Sequence, residues 1–115
     1  MKFSLKRSEI PITIEGTDGI ERKFVLREVD GLERDEYSSK MAAKARYDEK
    51  GKIVGLKDQV GLVAALIHLS LYDEAGTRVA LQVIEKFPSK MQMALFTAAQ
   101  QLSGLVEDKQ SAGND

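Results

Sequence analysis

Ile10-Pro11-Ile12-Thr13-Ile14-Glu15-Gly16-Thr17-Asp18-Gly19-Ile20-Glu21-Arg22-Lys23-Phe24-Val25-Leu26 sets the fold class. Ile10, Ile12 and Ile14 alternate with Pro11, Thr13 and Glu15, and Ile20, Phe24 and Leu26 fall on one side of a second alternating run. Alternation of this kind marks a half-buried strand, so residues 10–15 and 20–28 are expected to pair as an antiparallel hairpin. Gly16 and Gly19 bracket the connection and are free to take positive φ. Pro11 has no amide proton to give to a ladder, which puts the first strand at a sheet edge. Phe3 and Leu5 are candidates for a further strand.

Downstream the period changes from two to that of a helix. Asp30 followed by Glu33 is a capping box, and the segment behind it is acidic early (Asp35, Glu36) and basic late (Lys40, Lys44, Arg46). Those charges complement a helix dipole, so a helix is expected over 31–47, with Tyr37, Met41 and Ala45 inward. Apolar residues recur at helical spacing through 58–72. After the Asp73-Glu74-Ala75-Gly76 break, Thr77 is placed to cap a short helix over 78–87 that Pro88 ends. Ser89 with Gln92 reads as a second capping box, opening a helix over 89–106. The fold class is therefore α+β and mostly α, an N-terminal hairpin and about four helices. The expected core is Ile12, Phe24, Leu26, Tyr37, Met41, Val63, Ile67, Leu71, Val83, Phe87, Leu95 and Leu102. One domain over 1–107 and a disordered polar tail over 108–115 fit a chain of 115 residues.

Composition removes several chemistries. With no cysteine and one histidine, thiolate metal sites, disulfides and cysteine nucleophiles are excluded. Seventeen Lys and Arg against eighteen Asp and Glu leave a net charge of −1, which offers no global attraction to nucleic acid or an anionic membrane. No apolar run is long enough to span a bilayer. His68 sits among Leu66, Ile67 and Leu69 and reads as a packed histidine. The pairs Asp35/Glu36 and Asp73/Glu74 are adjacent in sequence and diverge on a helix. No serine lies in a nucleophile elbow and no glycine pattern matches a phosphate loop. Catalytic, cofactor and metal residues are all expected to be absent. A helix-turn-helix reading of 58–87 would present Arg78, Gln82, Glu85 and Lys86 to DNA, too little positive charge for that surface.

Absence of charge is the more informative pattern. Residues 59–72 and 91–106 contain no Asp, Glu, Lys or Arg, although 30% of the chain is charged. A small domain cannot enclose two such helices completely, so a weakly polar surface is left for association, and a homo-oligomer is expected. Taking about 100° per residue along the last helix, Met91, Leu95, Ala98, Leu102 and Leu105 share one side, and Met93, Phe96, Gln100 and Ser103 the other. The second set is the expected partner-binding surface.

The order of segments resembles a family. Val29-Asp30-Gly31-Leu32-Glu33-Arg34 enters a charged helix, an uncharged helix ends Leu69-Ser70-Leu71-Tyr72-Asp73, and Ile84-Glu85-Lys86-Phe87-Pro88 leads to a closing Ala98-Ala99-Gln100-Gln101-Leu102-Ser103-Gly104-Leu105. This is similar to the tail assembly chaperones of long-tailed, lambda-like bacteriophages and prophages, over roughly residues 24–106. The resemblance implies a non-enzymatic protein of the bacterial host cytoplasm. It would keep the long tape-measure protein soluble until the tail tube polymerises around it, and would recruit the tail-tube protein through a frameshifted extension. Competing expectations are a small virion structural or tail-completion protein and, third, a DNA-binding regulator.

Overall fold

The computed structural model describes residues 1–105. The chain runs β1 (Glu9–Glu15), β2 (Glu21–Arg27), α1 (Gly31–Ala42), β3 (Ala45–Tyr47), β4 (Ile53–Leu56), α2 (Leu62–Ser70), β5 (Leu71–Asp73), α3 (Leu81–Glu85) and α4 (Ser89–Leu102). It is an α+β protein with the N-terminal hairpin in place. β1 pairs antiparallel with β2, Ile12 opposite Phe24 and Ile10 opposite Leu26. β5 then joins the other side of β2, giving the order β1-β2-β5. Leu26, Leu71, Leu66, Ile67 and Ile84 are sealed from solvent, and the core lies between this sheet, α2 and α4.

Pro11 shows how the edge is built. Glu28 N donates to Ser8 O and Gly16 N to Ile20 O, both at 2.9 Å, which makes the even-numbered residues of β1 the ones bonded to β2. Glu9, Pro11, Thr13 and Glu15 therefore turn their backbone groups away from the sheet. The donor that Pro11 lacks is one the ladder never uses.

Three hairpins close with one loop design. In Gly16–Ile20, Asp48–Lys52 and Asp73–Thr77 the first amide donates to the fifth carbonyl, and the fourth amide to the first carbonyl. The fourth residue is Gly19, Gly51 or Gly76, with φ of 79°, 79° and 83°. A type I turn followed by a left-handed residue produces this five-residue closure, and only glycine takes that φ without cost. In the last two loops Asp48 and Asp73 also accept amide protons across the turn, at 2.9 Å from Lys50 and Lys52 and at 2.9 and 3.0 Å from Ala75 and Thr77. In the first loop, Asp18 holds Arg22 at 2.8 Å, and that guanidinium pulls its carboxyl down to about 2. With a folded value below the unfolded one, the contribution of Asp18 is complete above about pH 4 and is lost as pH falls through about 2. An NMR titration of the Asp18 carboxyl is expected to show the depressed midpoint, and Arg22→Ala to raise it part of the way back, because the Ile20 amide still donates to the carboxylate at 3.0 Å.

Those loops correct the expected helices. The first stops at Ala42, not 47, because Ala45–Tyr47 turns back on Ile53–Leu56 around Asp48–Lys52. The second is Leu62–Ser70 rather than 58–72. Gly61, at φ +81°, starts it, and Leu71–Asp73 leaves to pair with β2. The third shrinks to Leu81–Glu85, since Tyr72 bridges Arg78 and Val79 N donates to Leu71 O at 3.0 Å. Ala80, not Thr77, precedes it. The fourth ends at Leu102, where Leu105 N reaches Gln100 O at 2.8 Å over Gly104, at φ +66°. Its expected capping box is absent: Pro88 is the cap, and the Gln92 amide donates to Ile84 O at 2.7 Å, holding α4 to the end of α3. Phe3 and Leu5 lie exposed and unpaired. Met41 and Val83 are also exposed, against expectation, while the other ten expected core residues are buried or half-buried. The polar tail over 108–115 and the end of the expected domain lie outside the described residues.

The capping box is present and central. Asp30 accepts from Glu33 N and Glu33 from Asp30 N, each at 2.8 Å. The Glu33 carboxylate is buried and also receives Arg7 at 3.2 Å and Arg78, so one anion ties the N-terminal segment, α1 and the return strand of β5 together.

Candidate partner-binding surface

On α4 the packed side is centred on Leu95 and Ala99, both buried. That axis is rotated by about 60° from the Met91–Leu95–Ala98 line at 100° per residue. The expected partner-binding residues divide accordingly. Met93 is 49% exposed, whereas Phe96 is half-buried and packs on the core, and Gln100 is half-buried. Ser103 is a structural tie, its Oγ accepting from Val29 N at 3.0 Å. The outward side is instead Lys90, Met93, Ala94, Thr97 and Gln101, all exposed and, beyond Lys90 in the first turn, all uncharged. Ala99 turns the packed side away from the apolar stripe, because a residue that small contributes little to hydrophobic periodicity and yet marks where helices approach most closely.

Two further apolar features stand beside α1 and α2. A groove of about 350 Å³ runs between α1, α2 and α3, with Val60, Leu62, Ala65 and Leu81 in it and Lys40, Lys44 and Glu85 at its rim. Lys44 pairs with Asp58 at 2.5 Å and holds that carboxyl below its usual range. Beside it the β3–β4 hairpin carries Tyr47, Ile53 and Val54, each more than half exposed. Its signal was in the sequence: Asp48-Glu49-Lys50-Gly51-Lys52 and Asp73-Glu74-Ala75-Gly76-Thr77 share one pattern, and both are hairpin loops.

His68 is half-buried with Nδ1 2.8 Å from Val79 O, where it fastens α2 to the return strand. The helix-turn-helix geometry is contradicted, since a strand, a loop and a bridge fill residues 71–79 between α2 and α3. Arg78, assigned to a DNA face, is engaged by Glu33. Among the described residues no group of three acidic or histidine side chains is placed to hold a metal, and no helix is long and apolar enough to cross a membrane. No protein family, curated protein or solved structure matches the chain.

The rotated α4 separates two substitutions. Met93→Lys is expected to change stability by less than about 0.5 kcal/mol, whereas Phe96→Asp buries a charge against the core and costs about 2 kcal/mol or more. Thermal unfolding followed by circular dichroism measures both.

Proposed function

We propose that this chain is a non-enzymatic assembly chaperone that shields an apolar helical partner, the tape-measure protein of a long-tailed phage, before the tail tube forms in the host cytoplasm. The observation that carries this reading is the outer side of α4 beyond Lys90, where Met93 stands exposed among the uncharged Ala94, Thr97 and Gln101. An amphipathic helix docks on such a surface by side-chain packing, and a thioether adapts to partners of varied shape. From Met93 to Gln101 the lack of charge removes the desolvation penalty that a lysine or glutamate would impose, and Lys90 falls at the rim.

Co-expression with the tape-measure protein of a long-tailed phage tests the reading. The expected result is a soluble, co-purifying complex that Met93→Lys disrupts, and absence of the chain from purified virions. A tape-measure protein that stays insoluble would overturn it, and retention in virions would favour a structural component of the tail.

A further inference from the structure

The outer edge of β1 and the segment before it are both unsatisfied, and they match. Glu9, Thr13 and Glu15 direct amide and carbonyl groups away from β2, and no strand takes them up among the described residues. The hydrophobic layer is also unfinished there, with Ile10 37% exposed and Ile12 and Ile14 half-buried. Glu15 stands directly opposite Glu21, a like-charge pair with no cation in ion-pair range of either among the described residues. Residues 2–6 supply what is missing. Phe3 and Leu5, 84% and 104% exposed, alternate with Lys2, Ser4 and Lys6, and neither lysine is in an ion pair among the described residues.

We propose that residues 2–6 of one copy add as an antiparallel strand to the free edge of β1 in a second copy. The register that satisfies both chains sets Lys2 opposite Glu15, Phe3 opposite Ile14, Ser4 opposite Thr13 and Leu5 opposite Ile12. Ser4 and Thr13 then exchange two backbone hydrogen bonds, and so do Lys2 and Glu15. Phe3 and Leu5 extend the isoleucine row, and Lys2 relieves the Glu15–Glu21 repulsion. Lys6 falls opposite Pro11, where only the proline carbonyl is needed. A chain cannot do this to itself. Bringing Leu5 beside its own Ile12 would turn residues 6–11 into a loop, yet Glu9, Ile10 and Pro11 are already paired with β2 and Arg7 is held by Asp30 at 2.7 Å. The occupant is therefore a second copy, and reciprocal exchange closes a dimer. This contact is separate from the α4 surface.

Sedimentation of the full chain, without an N-terminal tag, over a range of concentrations reads the association directly. Thr13→Pro removes one outward amide and leaves the β1–β2 ladder whole, since Thr13 N–H takes no part in it. It is expected to weaken self-association by about tenfold or more with an unchanged circular dichroism spectrum. Lys2→Glu is expected to weaken it as well, and Lys2→Glu with Glu15→Lys to restore it. Met93→Lys is expected to leave it unaltered, so failure of this contact is distinguishable from failure of the chaperone reading. A wild-type chain that stays monomeric at high concentration overturns the proposal, as does association indifferent to Thr13→Pro and to the charge swap.

Discussion

Glu33→Ala is expected to lower the melting temperature by about 15 °C. The carboxylate is 7% exposed and has three jobs at once: it accepts the Asp30 amide, and it neutralises Arg7 and Arg78. Removing one member of a buried ion network costs about 3–5 kcal/mol; here Arg78 loses its carboxylate after its hydration has been given up, while Arg7 keeps Asp30. Side-chain exposures of 31% for Arg7 and 35% for Arg78 leave both guanidiniums some water, which places the expected loss near about 3 kcal/mol. For a domain of this size each kcal/mol moves the midpoint by about 4–8 °C. Glu33→Gln keeps an acceptor for the Asp30 amide and loses only the charge, so its effect is expected to fall between the two. Equal melting temperatures for Glu33→Ala and wild type would show that the network contributes nothing net.

Ile84→Ala is expected to cost about 3 kcal/mol, and Val83→Ala, one residue away, less than about 0.5 kcal/mol. α3 is barely more than one turn and has no side-chain cap, so it persists through what it buries. Ile84 is completely buried whereas Val83 is 51% exposed. Loss of the Ile84 side chain therefore leaves a cavity at the junction of α2, α3 and the start of α4, while the main-chain carbonyl that Gln92 holds stays in place. Urea unfolding measures the pair, with a shifted midpoint and unchanged slope for Ile84→Ala. Equal effects at the two positions would mean that α3 is rotated from the arrangement described.

The sequence reading of the first hairpin and of the Asp30–Glu33 box agrees with the structure because both are local: alternation, a glycine pair and a four-residue motif contain all the information needed. Strands of three residues do not. Leu71-Tyr72-Asp73 extends the apolar spacing of α2 without a break, and only the distant β2 makes it a strand. Ala45–Tyr47 follows a helix whose charges suit a dipole and was absorbed into it for that reason, although the Asp-Glu-x-Gly loop beyond was a hairpin signal. Met93 was recognisable as an outward residue from its angle. Phe96 and Ser103 were not, because their fate depends on Ala99 and on the Val29 amide, which lie on other turns and other elements.

The placement of β5 also dictates the order in which the molecule can assemble. All three five-residue loops bring their ends together within a few residues, and such closures take microseconds or less. The β2–β5 ladder is different: Val25 meets Tyr72 only after everything from Glu28 to Ser70 has been brought round, including α1, the β3–β4 hairpin and α2. Long-range pairing of this kind pays its closure entropy before any contact rewards it. The central strand of the sheet is thus expected to acquire its second neighbour after the local hairpins have closed. Until then Leu26 and Leu71, sealed in the finished fold, are open to water and to other chains, and a nascent copy depends on the speed of that one docking step to escape aggregation.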